Sequence, residues 1–245
     1  SMRTVQIIAH RGYRERYPEN SLAGLEAAIA AGADAVELDV QFCRDGTPVV
    51  LHDIDLRRLT GQPGQLLELD LEQLRAYSAH EPERFGERFR PTPIATPEQV
   101  VERLARHADV TLFVEIKRDS LPMHAIPAGV DRVLKACRPL GDRLVLISFD
   151  DGVLQQARSL DDVAVGWVLS DWNETQRERA ETVKPDYLFV SDEQLPPAPT
   201  KPWPGPWRWA VYEVNEPAAA RALIERGFDA VETAAVETLA RALKS

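Results

Sequence analysis

Eight short runs of apolar, β-branched and aromatic residues recur along the 245-residue chain, and stretches of helical spacing separate most of them. The runs are 5–9 (VQIIA), 34–42 (DAVELDVQF), 111–116 (TLFVEI), 144–149 (LVLISF), 164–169 (AVGWVL), 187–191 (YLFVS), 208–214 (RWAVYEV) and 229–233 (DAVET). Helical patterns occupy 22–32, 97–108, 128–140, 150–160, 173–183, 216–227 and 235–244. Strands that alternate with helices pair in parallel, because a parallel neighbour needs a crossover long enough to hold a helix. Eight such units in about 250 residues are the size of a TIM (β/α)8 barrel. The rival is an open doubly wound sheet, which carries a glycine-rich phosphate loop after its first strand. Here that place holds HRGYRE. The expected class is α/β, a TIM barrel.

Two segments break the rhythm. Residues 53–93 form a long excursion after the second strand, with one short helix expected at 70–77, and read as an inserted lid or subdomain. Residues 195–207 (LPPAPTKPWPGPW) read as a stiff surface tether, or as a rim that offers Trp203 or Trp207 to a substrate. No composition break divides the chain, so 1–245 reads as one domain. The net charge of −10 disfavours nucleic acid and anionic membranes as partners. Cys43 and Cys137 form no framework and read as reduced thiols. No apolar run reaches the ~18 residues of a membrane span, and no signal-peptide pattern precedes the first strand. A cytoplasmic protein without integral membrane association is expected, with Ser1 before Met2 as a cloning remnant.

TIM barrels keep their chemistry at the C-terminal strand ends. The first strand ends in His10-Arg11, a pair that suits an anion or a proton transfer, or alternatively a salt-bridged turn. Gly12 lets the chain turn there, and 13–17 read as a solvated loop. In VELDV, Glu37 and Asp39 share one face while Val36, Leu38 and Val40 take the other. The apolar set suits the helix-covered outside, which leaves two carboxylates in the lumen. Burying both is costly unless a cation, a shared proton or a lumen Lys or Arg compensates. An oxygen-ligand divalent cation, Mg²⁺, Ca²⁺ or Mn²⁺, fits best. Arg44-Asp45-Gly46-Thr47 marks a hairpin. A two-residue turn would face 44 with 47 and set His52 opposite Asp39, although His52 can also be an ordinary hairpin residue. FVEIK adds Glu115 as a third carboxylate and Lys117 as a cation, or the two form a plain ion pair. Together, two histidines suit general acid and base, Arg11 and Lys117 suit phosphate, and a metal suits Lewis-acid help. Jointly they point to phosphodiester cleavage.

AHRG at 9–12, PENS at 18–21, GADAVELDV at 32–40, DGTPVVLHD at 45–53, VEIK at 114–117 and SFDDGVL at 148–154 resemble the glycerophosphodiester phosphodiesterases of the short bacterial cytosolic type. Order and spacing agree from about residue 5 to 233. The resemblance implies a TIM barrel with the 53–93 insertion and one divalent cation on Glu37, Asp39 and Glu115. It implies His10 and His52 as the acid–base pair, with Arg11 and Lys117 on phosphate. Glu19 and Asn20 come from the PEN motif, and Asn20 can also cap the first helix. The implied partner is a small glycerophosphodiester, cleaved to sn-glycerol 3-phosphate and an alcohol such as choline or ethanolamine. Alternatives are a lysophospholipase D-like or phosphoinositide-cleaving enzyme, a carbon–carbon lyase using carboxylates and Mg²⁺, or a non-catalytic glycerophosphodiester-binding protein. Two places depart from the family pattern. Trp-Thr-Val-Asn is here Tyr212-Glu213-Val214-Asn215, so Tyr212 takes the aromatic place and Glu213 adds a charge at the rim. The final Thr-Asp is Thr233-Ala234, preceded by Glu232. By that resemblance, both departures would fall where the alcohol or glycerol is recognised.

Overall fold

A computed structural model of the chain describes residues 4–244, and Ser1 and Met2 lie outside them. The described strands are β1 (Gln6–His10), β2 (Ala35–Phe42), β3 (Pro48–Val50), β4 (Thr111–Ile116), β5 (Leu144–Ser148), β6 (Ala164–Val168), β7 (Tyr187–Ser191), β8 (Arg208–Tyr212) and β9 (Ala230–Thr233). All but β3 pair in parallel around a ring that the β1–β2 pairing closes. This is the eight-stranded parallel barrel that the alternation predicts. Outer helices are Leu22–Ala30, Pro97–Leu104, Ile126–Cys137, Asp151–Leu160, Glu174–Val183, Pro217–Arg226 and Val236–Lys244. Among the described residues no helix is long and apolar enough to cross a membrane. Cys43 and Cys137 are buried and form no disulfide.

Side-chain alternation gives the barrel two cores. Val36, Leu38 and Val40 join Ile7, Val114 and Leu146 beneath the helices. Ile8, Ala35, Phe113, Val145, Phe189 and Ala210 fill the lumen. Glu37 and Asp39 have the parity of Ala35, so the two carboxylates face inward. The ladder then fixes their neighbours: His10 lies beside Glu37, and Asp39 beside Glu115.

The hairpin register departs by one residue from expectation. Phe42 pairs with Pro48 and Val40 with Val50. The turn holds three residues rather than two. Gly46 is left-handed at φ 82° and its N–H donates to the Cys43 carbonyl at 2.8 Å, the bulged alternative to a two-residue turn. Leu51, not His52, therefore stands opposite Asp39, and its N–H donates to the Asp39 carbonyl at 3.0 Å. β3 ends at Val50, so His52 follows the bend of the chain instead of the ladder. Gln41 Nε2 holds the His52 carbonyl at 2.7 Å.

The insertion contains three one-turn α-helices, Arg57–Thr60, Leu71–Leu74 and Pro82–Phe85, and a 3-10 turn at Leu66–Glu68, where the sequence suggests one helix. Leu71–Leu74 stands in the expected place, with Asp70 and Gln73 forming a capping box. Leu51, Leu56, Leu59, Leu66, Leu74 and Ala79 give the segment its own small core. Residues 195–207 replace a helix between β7 and β8. Trp203 packs on Trp172 and Trp209 at ring centroids of 4.4 and 5.3 Å. Its carbonyl accepts from Nε1 of Trp207 at 2.9 Å and of Trp209 at 3.0 Å. Trp203 and Trp207 are buried in the outer core. They cover a sheet face that lacks a helix, and the idea of a substrate-contacting rim is corrected.

Candidate active site

A cavity of about 150 Å³ opens at the C-terminal mouth of the barrel. Its lining includes His10, Arg11, Asp39, His52, Glu115, Lys117, Tyr212 and Glu232, with Ile147, Phe149, Val168 and Phe189 as apolar wall. Six of the residues singled out from sequence thus meet in one wall despite spanning more than a hundred positions, and Tyr212 joins them. Arg11 is left-handed at φ 57°, and its N–H donates to Glu37 Oε1 at 3.1 Å. Its Nε is buried without a hydrogen-bond acceptor, 3.4 Å from Asp39 Oδ2. A buried cationic donor with spare capacity at a cavity wall suits an anionic oxygen ligand. Gly12, at φ 78°, turns the chain as expected, but what it approaches is the first helix: a Cβ there would lie 3.1 Å from the Gly24 carbonyl carbon.

Glu19 and Asn20 lie behind the cavity and not in its lining. Glu19 is buried, with its carboxylate on Arg58 Nη1 and Nη2 at 2.7 and 3.0 Å and on Arg11 Nη1 at 3.2 Å. Burial works against its charge, but Arg58 and Arg11 hold its carboxyl below the usual value. Asn20 donates from Nδ2 to Asp39 Oδ2 at 3.0 Å and accepts the Asp39 N–H at 3.1 Å. The helix cap is Ser21, whose Oγ accepts the Gly24 N–H at 3.0 Å. Asn20 is committed to β2, so its capping role is corrected.

Glu37, Asp39 and Glu115 each present an oxygen within 4.8 Å of the others. Burial pushes the Glu37 carboxyl well up, helped by Asp39, Glu232 and Glu115. Burial and the Asp39 charge push Glu115 to about 7, against Lys117, whose Nζ is 3.5 Å away. Asp39 is the exception: burial would raise it, but Arg11, His52 and Asn20 hold it low. Three crowded carboxylates that resist ionisation together fit a hard divalent cation, which would compensate all of them.

Sequence reading undervalued five side chains, Glu232, Glu213, Arg14, Arg58 and Asp53. Glu232 is a fourth buried carboxylate of the lumen, 3.9 Å from His10 Nε2. Its strand, DAVET, has the same i, i+2 parity that reveals Glu37 and Asp39, so the signal was present. Glu213 binds His10 Nδ1 through Oε2, together with Arg14 Nη2. Arg14 belongs to 13–17, which is not simply solvated: Tyr13 is buried in the core, and Arg84 of the insertion donates to the Arg14 carbonyl at 2.7 Å. Arg58 links two branches of the site. Besides Glu19, it donates from Nε to Asp53 Oδ2 at 2.8 Å, while Asp53 Oδ1 meets His52 Nδ1 at 2.7 Å. Those bonds hold Asp53 far below the usual carboxylate range despite partial burial. For His10, burial opposes the proton, but Glu232 and Glu213 overcome it and raise the ring's pKa.

Charged side chains gathered at the C-terminal mouth of a closed parallel barrel place the chain among TIM-barrel enzymes. More narrowly, it belongs to the glycerophosphoryl diester phosphodiesterase family, whose model matches residues 10–238. It is 32% identical over 149 residues to a glycerophosphodiester phosphodiesterase of Bacillus altitudinis, covering 61% of this chain and 60% of that protein. It is 38% identical over 113 residues to glycerophosphodiester phosphodiesterase 1 of mouse, covering 46% of this chain and 34% of that one. The matched part is thus under two thirds of either relative. In fold, it is similar to a phosphodiesterase of Oleispira antarctica solved in complex with the product sn-glycerol-3-phosphate. The TM-score is 0.85 at 24% identity, over 98% of this chain and 97% of the other.

Proposed function

We propose that residues 1–245 form one catalytic domain that hydrolyses glycerophosphodiesters to sn-glycerol 3-phosphate and an alcohol, in a metal-dependent reaction. The observation that carries this reading is the pair of imidazoles on one small cavity, each with Nδ1 held by a carboxylate. Such a carboxylate orients the ring and leaves Nε2 for proton transfer. Arg11 and Lys117 bind the non-bridging phosphate oxygens, Arg11 through its unsatisfied Nε. One imidazole takes the proton from the attacking oxygen, and the other protonates the leaving alkoxide. Glu37, Asp39 and Glu115 hold one divalent cation, Mg²⁺, Ca²⁺ or Mn²⁺, which supplies charge stabilisation to the phosphoryl oxygens. Glu19 and Asn20 act through Arg11 and Asp39, and Tyr212 lines the wall that meets the glycerol or the alcohol.

The alcohol is assigned to an adjoining groove of about 480 Å³ lined by residues 115–119 and 148–151. Asp119, Asp150 and Asp151 lie there beside the half-exposed ring of Phe149, and Lys117 and Arg118 share the wall, with Arg118 paired to Asp150 and Arg179 to Asp151. The aromatic face, with the Asp119 carboxylate beside it, suits a cationic alcohol such as choline or ethanolamine. The 53–93 insertion acts as a clasp on the β1 side, since Arg58 reaches from it to Glu19 and Arg84 to the Arg14 carbonyl of the loop after β1. The test is a coupled assay for sn-glycerol 3-phosphate over a panel of glycerophosphodiesters and lysophospholipids, with added Mg²⁺, Ca²⁺ or Mn²⁺. Release from glycerophosphocholine or glycerophosphoethanolamine is expected. Cleavage of lysophospholipids alone, or of nothing, contradicts the reading.

A further inference from the structure

Glu213 occupies the position where the family pattern has a threonine, and the sequence suggests a rim charge for the alcohol. The structure gives its carboxylate other work. Oε2 meets His10 Nδ1 and Arg14 Nη2, and Oε1 accepts from Asn215 Nδ2 at 3.0 Å. Asn215 is itself tied to the end of β9: its Oδ1 accepts the Ala234 N–H at 2.9 Å and the Thr233 hydroxyl at 3.1 Å. Glu213 is not part of the cavity lining, whereas His10 is. Both its oxygens are engaged, and all its partners are fixed to the barrel or the β1 loop.

A neutral imidazole has one N–H and one bare nitrogen, and its neighbours decide which is which. A threonine hydroxyl both donates and accepts, so it leaves that choice open. An ionised carboxylate only accepts, so the nitrogen beside it must carry the proton. We propose that Glu213 is a positioning residue that fixes the His10 ring in the Nδ1–H tautomer, with bare Nε2 facing the lumen. Arg14 and Asn215 hold the carboxylate in place, so that the ring has one orientation before substrate arrives. In this chain the β8 loop has thereby taken on the ring-orienting role that Asp53 plays for His52.

The kinetic half of this inference rests on the phosphodiesterase reading above, while the spectroscopic half does not. The experiment compares wild type with Glu213→Ala, and with Glu213→Thr, which carries the family's usual residue, as the second variant. Imidazole ¹⁵N spectra are recorded over a pH series carried upward until the His10 signals stop moving, so that the neutral ring is read although Glu232 and Glu213 raise its pKa. His10 is identified by the signals lost in His10→Gln. His10 should be Nδ1–H in wild type, shift toward Nε2–H in Glu213→Ala, and lose its exclusive Nδ1–H form in Glu213→Thr, whose hydroxyl accepts either tautomer. kcat should fall at least about ten-fold with KM within about two-fold, because the ring is misoriented without loss of a substrate contact. An Nδ1–H form that stays exclusive in either variant, an unchanged kcat, or a loss confined to KM overturns the proposal. If wild type cleaves no glycerophosphodiester, the functional reading fails and the tautomer shift alone decides the role of Glu213.

Discussion

Glu19 has the burial of a core residue and the charge of a surface one. It is compensated by Arg58, held in a fork, and by Arg11. Removing one partner of a buried ion pair costs far more than the pair contributes, because the other charge is stranded. Arg58 keeps Asp53 and Arg11 keeps Asp39 at 3.4 Å, so what Arg11 loses is the contact on its Nη1. Glu19→Ala should lose roughly 2–3 kcal/mol of stability in urea unfolding. It should also raise KM for the phosphodiester, since Arg11 loses the contact that aims it. An unchanged midpoint and an unchanged KM would show that Glu19 holds nothing in place. At this scale the sequence was informative wherever parity operates. Glu37, Asp39 and Glu115 announce themselves by alternation, and Glu232 obeys the same rule. Arg58, Asp53 and Arg14 were not legible as site residues, because they act from loops and a one-turn helix too short to show a period.

Among elements, the parallel strands and their helices could be read from apolar spacing, and strand limits fall within one or two residues of expectation. The hairpin register could not, because Arg-Asp-Gly-Thr is compatible with both a two-residue and a bulged three-residue turn. His52 reaches the cavity through the bend after Val50, so the hairpin argument placed it there with the wrong register. The Pro-rich segment was legible as an irregular surface stretch, but the burial of its Trp203 and Trp207 was not. Its tryptophans substitute for the apolar face of a missing helix. Trp203→Ala should therefore cost about 3–5 kcal/mol, as for other large-to-small changes in a core. Turnover per folded molecule and KM should stay as in wild type. A changed KM with intact stability would restore the substrate-rim reading that packing has displaced.

For the whole molecule, the lumen sets a conflict between folding and charge. Glu37, Glu232 and Glu115 have raised pKa values mainly through burial, Glu115 moving from 4.5 to about 7. A carboxyl with a raised folded pKa binds a proton that the unfolded chain has already released. Its contribution is present below the unfolded value and lost as pH climbs through the folded one, here between about 4.5 and 7. The metal-free protein should lose stability over that window. A divalent cation bound to the same oxygens displaces those protons, so its stabilisation should grow as pH rises. Thermal melts with EDTA and with Mg²⁺ or Ca²⁺, at about pH 5 and about pH 8, should show the larger metal-induced Tm shift at the higher pH. Equal shifts, or none, would remove the cation from this site. Under the proposed mechanism, two carboxylate-held imidazoles on one cavity share the proton transfers of diester hydrolysis. Its most direct measurement is kcat for sn-glycerol 3-phosphate release by metal-loaded wild type, His10→Ala and His52→Ala, with folding checked by the same melts. Each replacement should lower kcat by roughly 10²–10⁴-fold while leaving a cooperative melt. Near-wild-type turnover in either variant would contradict the account.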